Sequence, residues 1–73
     1  MCLNELYCTG WTIAVYTKDI GLYCGRLDYK TGMHVSLNKA TRFHYSYNRM
    51  LSVIDKLSAL DQSHQYKMIA WWL

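Results

Sequence analysis

The sequence has 73 residues, which suits a single domain spanning residues 1–73. Its composition, 52% hydrophobic and 18% charged, is typical of a globular chain and excludes a disordered one. The net charge is +3, and the charged residues form no run of one sign, so the charge permits nucleic acid or an acidic protein as a partner and requires neither.

The cysteines and the apolar stretches indicate the compartment. Cys2, Cys8 and Cys24 are not the even, dense set of a secreted disulfide scaffold, so we expect free thiols in a reducing cytoplasm. Whether any of them does more than pack is left open. No basic region followed by an apolar run opens the chain, so we expect no signal peptide. The longest apolar stretch, MIAWWL, is too short to span a membrane.

Alternating apolar and polar side chains predict three strands in the first half of the chain. The first strand starts at Trp11 and continues toward Lys18. Residues 22–29 form the second and residues 33–37 the third, and turn residues separate them. We therefore expect a three-stranded antiparallel meander.

A three-residue loop with Gly32 in a left-handed conformation sets the expected register of the second turn. The pairs expected on the apolar side are Tyr29 with Met33, Leu27 with Val35, Gly25 with Leu37, Val15 with Tyr23 and Trp11 with Leu27. The pairs expected on the polar side are Asp28 with His34 and Arg26 with Ser36.

A connection and one helix follow the third strand. Phe43 is expected to plug the sheet edge, and Ser46 is the predicted N-cap of a helix of about 14 residues that ends near Asp61. The predicted apolar stripe of the helix is Tyr47, Met50, Leu51, Ile54, Leu57 and Leu60.

The final segment, YKMIAWWL, has strand composition, so the predicted order is β-β-β-α-β. This is an α+β fold: a small antiparallel sheet of three to four strands with one helix packed on one face. The helix is expected to return the fourth strand parallel to the first or the third, most simply beside the first. Side chains expected to face the helix are Tyr66, Met68, Ala70 and Trp72; those expected to face away are Ile69, Trp71 and Leu73.

No residue pattern indicates catalysis, a cofactor or a metal. His34 is predicted on the polar sheet face and His44 and His64 in connections, none at the short spacing of zinc ligands. Cys24 could form a nucleophile pair with His34 or His64, but it is predicted in mid-strand without a group that would lower its pKa, so we expect it to pack as a small thiol. The five carboxylates are scattered singly, so we expect a protein that is not an enzyme.

Two binding functions fit the sheet face away from the helix. Protein binding, through Tyr16, Arg26, His34 and Trp71, follows from the aromatic content and from Trp71, which would need a partner. That partner could be a second copy of the chain, or the N-terminal segment with Leu3, Leu6 and Tyr7 could fold back over the ring. The alternative is a nucleic-acid-binding module that uses Tyr16, Lys18 and Arg26.

The run MHVSLNKATRFHYSYNRMLSVIDKL, residues 33–57, resembles a pattern in small proteins encoded by bacteriophages and mobile elements. In that pattern a short strand leads into an A-T-x-F segment and a Ser-capped helix. The resemblance implies an accessory or anti-defence protein, such as an anti-CRISPR or anti-restriction inhibitor, that binds a bacterial host protein in the host cytoplasm without catalysis. Ala40, Phe43 and Ser46 carry the resemblance as packing and capping positions, so it transfers no site residue.

Overall fold

A computed structural model describes residues 10–71 of the chain. The elements are β1 (Gly10–Thr17), β2 (Tyr23–Asp28), β3 (Met33–Val35), a short 3-10 helix (Leu37–Lys39), α1 (Tyr47–Leu60) and β4 (His64–Trp71). This order confirms the predicted α+β fold, in which one helix packs on a small antiparallel sheet. No helix within residues 10–71 is long and apolar enough to cross a membrane.

The four strands lie in the order β3-β2-β1-β4, and every neighbouring pair is antiparallel. The placement of β4 beside β1 is as predicted, but the predicted parallel direction is wrong. The reason is the connection after β3. It returns to the start of β1, where Phe43 pairs with Trp11, before α1 begins. The helix therefore starts beside Trp11, whose ring lies 5.7 Å from that of Tyr47, and β4 runs back against β1.

The turn between β2 and β3 is one residue longer than predicted. Asp28 pairs with Met33, so four residues form the loop, and Gly32 has the expected left-handed conformation with φ 75°. Leu27 therefore faces His34, and Arg26 faces Val35. Because side chains alternate between faces along a strand, this shift of one residue moves His34 to the helix side of the sheet. Its predicted place on the polar face is wrong.

A β-bulge interrupts the pairing of β1 with β2. Val15 faces Gly25 and Tyr16 faces Tyr23, which leaves Cys24 as an extra residue on β2. The predicted pairing of Val15 with Tyr23 is therefore wrong, and Tyr23 joins Tyr16 on the face away from α1. A bulge of this kind changes the direction in which a side chain points.

The core lies between α1 and the sheet, and it contains Trp11, Ile13, Val15, Leu27, Phe43, Met50 and Tyr66. Met68 and Ala70 pack against it, as predicted for that face of β4; Trp72 and Leu73 lie outside the described residues. The Ser46 hydroxyl accepts a hydrogen bond from Arg49 N–H, which confirms the N-cap. In the helix stripe Val53 takes a packing position, while Leu51 and Leu60 are exposed, contrary to prediction.

Candidate functional site

The outer face of the sheet, which we define as the face away from α1, carries three of the four predicted partner-binding residues. Tyr16 and Arg26 lie there because Val15 and Leu27, their neighbours in sequence, point into the core. Trp71 lies there because Ala70 packs toward α1. His34 is on the other side. Lys18, predicted for nucleic-acid binding, lies in the turn just after β1.

One end of the outer face carries an aromatic–basic patch, formed by Tyr16, Tyr23, Arg26 and Lys67. The two tyrosine rings meet edge to face with centroids 5.5 Å apart. Arg26 Nε donates a hydrogen bond of 2.8 Å to the Tyr23 hydroxyl, and Lys67 Nζ lies 5.6 Å from the centre of the Tyr16 ring. Tyr23 is 48% exposed. Each ring is therefore paired with a cation and open to solvent on part of its surface.

The other end of the outer face is occupied by Trp71 and its neighbours. The indole Nε1–H donates a hydrogen bond to Thr12 Oγ1, and the Arg42 guanidinium lies 3.9 Å from the ring centre. Thr12 and Ala14 have no exposed surface, so the middle of this face is covered. Trp71, which was expected to need a second copy of the chain or the N-terminal segment as its partner, thus contacts Thr12 through its N–H and Arg42 through its ring.

On the helix side of the sheet, three side chains that can ligate a metal come together, and we call them the Cys–His cluster. Cys24, His34 and His64 each offer one ligand atom, and these three atoms lie within 4.8 Å of one another. The two imidazole rings meet edge to face with centroids 5.0 Å apart. The three residues come from β2, β3 and β4, and His64 begins β4, although it was predicted in a connection.

This cluster was missed from the sequence because only ligands about two to four residues apart, the usual spacing within a zinc site, were considered. His34 lies ten positions after Cys24 in the sequence, and His64 lies thirty positions after His34. Besides the pairing of β4 with β1, which places His64, the bulge at Cys24 and the four-residue loop before β3 bring these side chains to one place. Neither feature has a distinct residue pattern here, so the sequence contains no signal for the cluster beyond the residue types themselves.

Asp61, which caps the end of α1, holds His64 in place. Its Oδ2 lies 2.9 Å from His64 Nδ1 and accepts a hydrogen bond of 2.6 Å from the Tyr66 hydroxyl. Its Oδ1 accepts from the Ser63 hydroxyl at 2.7 Å and from Ser63 N–H at 2.9 Å. With Asp61 ionised, the His64 tautomer that donates from Nδ1 is favoured, which leaves the lone pair on Nε2.

The same network shifts two pKa values. The hydrogen bond from Tyr66, followed by those from Ser63 and His64, lowers the pKa of Asp61 well below its usual range. Burial and the Asp61 carboxylate raise the pKa of Tyr66 to about 12. At neutral pH Asp61 is therefore a carboxylate and Tyr66 a neutral phenol, which is the pairing that the hydrogen bond requires.

A shallow pocket beside α1 has a volume of about 240 Å³ and is lined by Tyr29, Tyr45, Arg49, Ser52, Val53 and Lys56. This volume is below the range of about 300–1,000 Å³ that is usual for small-molecule sites. The Arg49 guanidinium, 4.1 Å from the centre of the Tyr45 ring, belongs to the pocket wall. The pocket has no cluster of titratable groups with shifted pKa values, so the outer face and the Cys–His cluster are the stronger candidates.

Comparisons with protein-family models, with curated proteins and with solved structures find no match for this chain. The resemblance to phage-encoded accessory proteins therefore stays a prediction.

Proposed function

We propose that this chain is a non-catalytic binding protein and that the aromatic–basic patch is the centre of its contact surface. One observation carries the proposal: two tyrosines and two cations share one end of the outer face, and each cation lies against a ring. Tyrosine and arginine are enriched at protein interfaces because they combine apolar area with directed hydrogen bonds.

The partner class proposed first is an acidic surface on another protein. The chain is cationic overall, and Arg26 and Lys67 give the patch the same sign. In keeping with the resemblance of residues 33–57, we propose a bacterial host protein that the chain inhibits or modulates in the cytoplasm. A homodimer is the other protein partner we propose, because among residues 10–71 β4 pairs with β1 alone and thus forms an edge of the sheet.

Single-stranded nucleic acid is the second candidate, and the grouping of aromatic rings with cations at one end of the outer face favours it. Unpaired bases stack on exposed aromatic rings while neighbouring cations hold the phosphates. Tyr23 offers an exposed ring, and Arg26 and Lys67 lie within 6 Å of the Tyr23 and Tyr16 ring centres, respectively. Lys18 in the turn after β1 adds a third cation on the same chain.

Affinity capture from a bacterial lysate, followed by measurement of binding with the purified partner, tests the protein proposal. The informative variant is Arg26→Ala with Lys67→Ala, and its matched control is Arg49→Ala with Lys56→Ala on α1. Both variants lose two positive charges, so a difference in binding between them cannot come from net charge alone. We expect the patch variant to lose a stoichiometric partner that the control retains. Equal binding by both variants, or a monomeric chain that captures nothing, would contradict the proposal.

Fluorescence anisotropy with a random single-stranded oligonucleotide separates the two partner classes. Nucleic-acid binding should be strong at about 50 mM salt and fall by about 0.7 log unit per log unit of salt for each phosphate neutralised. Loss of this binding in the patch variant and retention in the control would favour the second candidate. No binding at low salt would exclude it.

A further inference from the structure

We propose that Cys24, His34 and His64 form a binding site for one transition-metal ion, with Zn²⁺ as the best fit. The main evidence is that the three ligand atoms lie within 4.8 Å of one another although they come from three different strands. The site is on the side of the sheet opposite the aromatic–basic patch, so it is independent of the function proposed above.

The backbone is shaped to bring the three side chains together. The bulge makes Cys24 the unpaired residue of β2, which frees its side chain from the alternation of the strand. Next to it, Gly25 has φ 141°, and a Cβ there would lie 3.3 Å from Val35 O and 3.4 Å from His34 Cβ. A larger residue at position 25 would therefore push β3, and His34 with it, away from Cys24.

The chemistry of the three ligands selects the class of metal. One thiolate and two imidazoles suit Zn²⁺ and its spectroscopic substitute Co²⁺, whereas Mg²⁺ and Ca²⁺ prefer oxygen ligands. With metal–ligand distances of about 2.0–2.3 Å, the ligand atoms of a tetrahedral site lie about 3.3–3.8 Å apart. The ligand atoms, now within 4.8 Å of one another, must therefore move closer together. Cys24 is half-buried and His34 is exposed, so rotation of their side chains can shorten these distances.

Asp61 supplies the outer partner that zinc-bound histidines usually have. Its carboxylate accepts from His64 Nδ1, which fixes the ring and leaves Nε2 as the nitrogen with a free lone pair. Asp61 is in turn held by Ser63 and Tyr66, so His64 is oriented before any metal arrives. Pre-orientation of one ligand lowers the entropy cost of forming the site.

Three protein ligands leave the fourth tetrahedral position open for water or for a group of another molecule. In the present arrangement the Cys24 thiol lies 3.5 Å from the Leu22 carbonyl oxygen, to which it donates. Binding replaces this weak contact with a metal–sulfur bond. The thiol proton goes to the solvent, so one proton is released for each metal ion bound by neutral histidines.

Titration of the reduced, metal-free full chain with Co²⁺ tests the site. We expect one Co²⁺ per chain, with the visible d–d absorption of tetrahedral cobalt and a thiolate-to-cobalt charge-transfer band in the near ultraviolet. Added Zn²⁺ should remove both signals. Cys24→Ser should abolish the charge-transfer band, while Cys2→Ser with Cys8→Ser should leave it intact. Binding without saturation at one equivalent, or a charge-transfer band that persists in Cys24→Ser, would mean an adventitious ion only and would overturn the proposal.

Histidine variants provide a test that does not depend on replacing the thiol. His34→Gln changes an exposed residue, and we expect it to weaken Co²⁺ binding at least tenfold; His44→Gln, outside the cluster, is the matched control and should bind as the native chain does. Asp61→Asn should weaken Co²⁺ binding about 10–100-fold and leave the tetrahedral spectrum unchanged, because Asp61 orients His64 and does not itself ligate the metal. Zn²⁺ should raise the thermal midpoint of the native chain and of His44→Gln more than that of His34→Gln. Equal affinities and equal shifts for the two histidine variants would overturn the proposal.

Discussion

Trp11 and Phe43 exchange two backbone hydrogen bonds, each 2.8 Å long, although they lie thirty-two positions apart in the sequence. This isolated bridge binds the connection after β3 to the start of β1. The Phe43 ring is buried in the core and also meets Tyr29 and Tyr45 edge to face. Because α1 begins just after this contact, the bridge fixes where the helix starts and hence the direction of β4.

We expect Phe43→Ala to lower the free energy of unfolding by about 3–5 kcal/mol, because it removes a buried ring and leaves a cavity at the end of the core. Phe43→Leu should cost less, since it retains most of the apolar volume. Urea unfolding followed by tryptophan fluorescence measures both. Leu22→Ala, at a residue that is 61% exposed, is the control and should change stability little. A loss at Phe43 no larger than at Leu22 would show that the connection contributes nothing to the core.

The elements of this fold could be predicted from local pattern, because periodicity and capping act over a few residues. The alternation from Trp11, the Ser46 cap and the apolar stripe of α1 all depend on close neighbours in sequence. The placement of Trp71 on the outer face could be predicted for the same reason, because it follows from the alternation along β4.

Register and strand direction could not be predicted, because they depend on long-range contacts. The extra residue at Cys24 and the fourth loop residue before β3 each shift the register of a strand by one residue. A shift of one residue moves each side chain to the opposite face of the sheet. Those two shifts move Tyr23 to the outer face and His34 to the helix side. They therefore create both candidate sites, the aromatic–basic patch and the Cys–His cluster.

Gly25→Ala should destabilise the protein more than Gly32→Ala. Both glycines have positive φ, which costs an alanine about 1 kcal/mol or more. At Gly32 nothing lies within 4 Å of an added Cβ, whereas at Gly25 it would crowd Val35 O and His34 Cβ. We therefore expect a loss of about 2–3 kcal/mol for Gly25→Ala. Thermal unfolding of the two variants in parallel checks this, and equal midpoints would show that β3 moves aside freely.

Trp71→Ala should lower the free energy of unfolding by about 2–3 kcal/mol, because it removes a ring that Arg42 covers and a donor that Thr12 accepts. Trp71→Phe retains a ring and should lose about 1 kcal/mol, close to the value of one hydrogen bond. Chemical unfolding of each variant measures these losses. Ile69→Ala, on the same face of β4, serves as the comparison, since Ile69 is partly exposed. Unchanged stability in Trp71→Ala would restore the view that this ring serves only an external partner.

Tyr66→Phe should raise the pKa of Asp61 in the metal-free protein, because it removes the hydrogen bond that lowers this pKa most. A carboxyl whose folded pKa lies below its ordinary value of 3.8 stabilises the fold at higher pH and loses that contribution as the pH falls. The native chain should therefore exceed the variant by about 1.5–3 kcal/mol above pH ~5, and the difference should shrink below pH ~4. Carboxyl NMR titration gives the pKa, and urea unfolding at each pH gives the difference. Tyr45→Phe is the control, because the Tyr45 hydroxyl makes no hydrogen bond within residues 10–71. A pH-independent difference would show that Tyr66 contributes through packing alone.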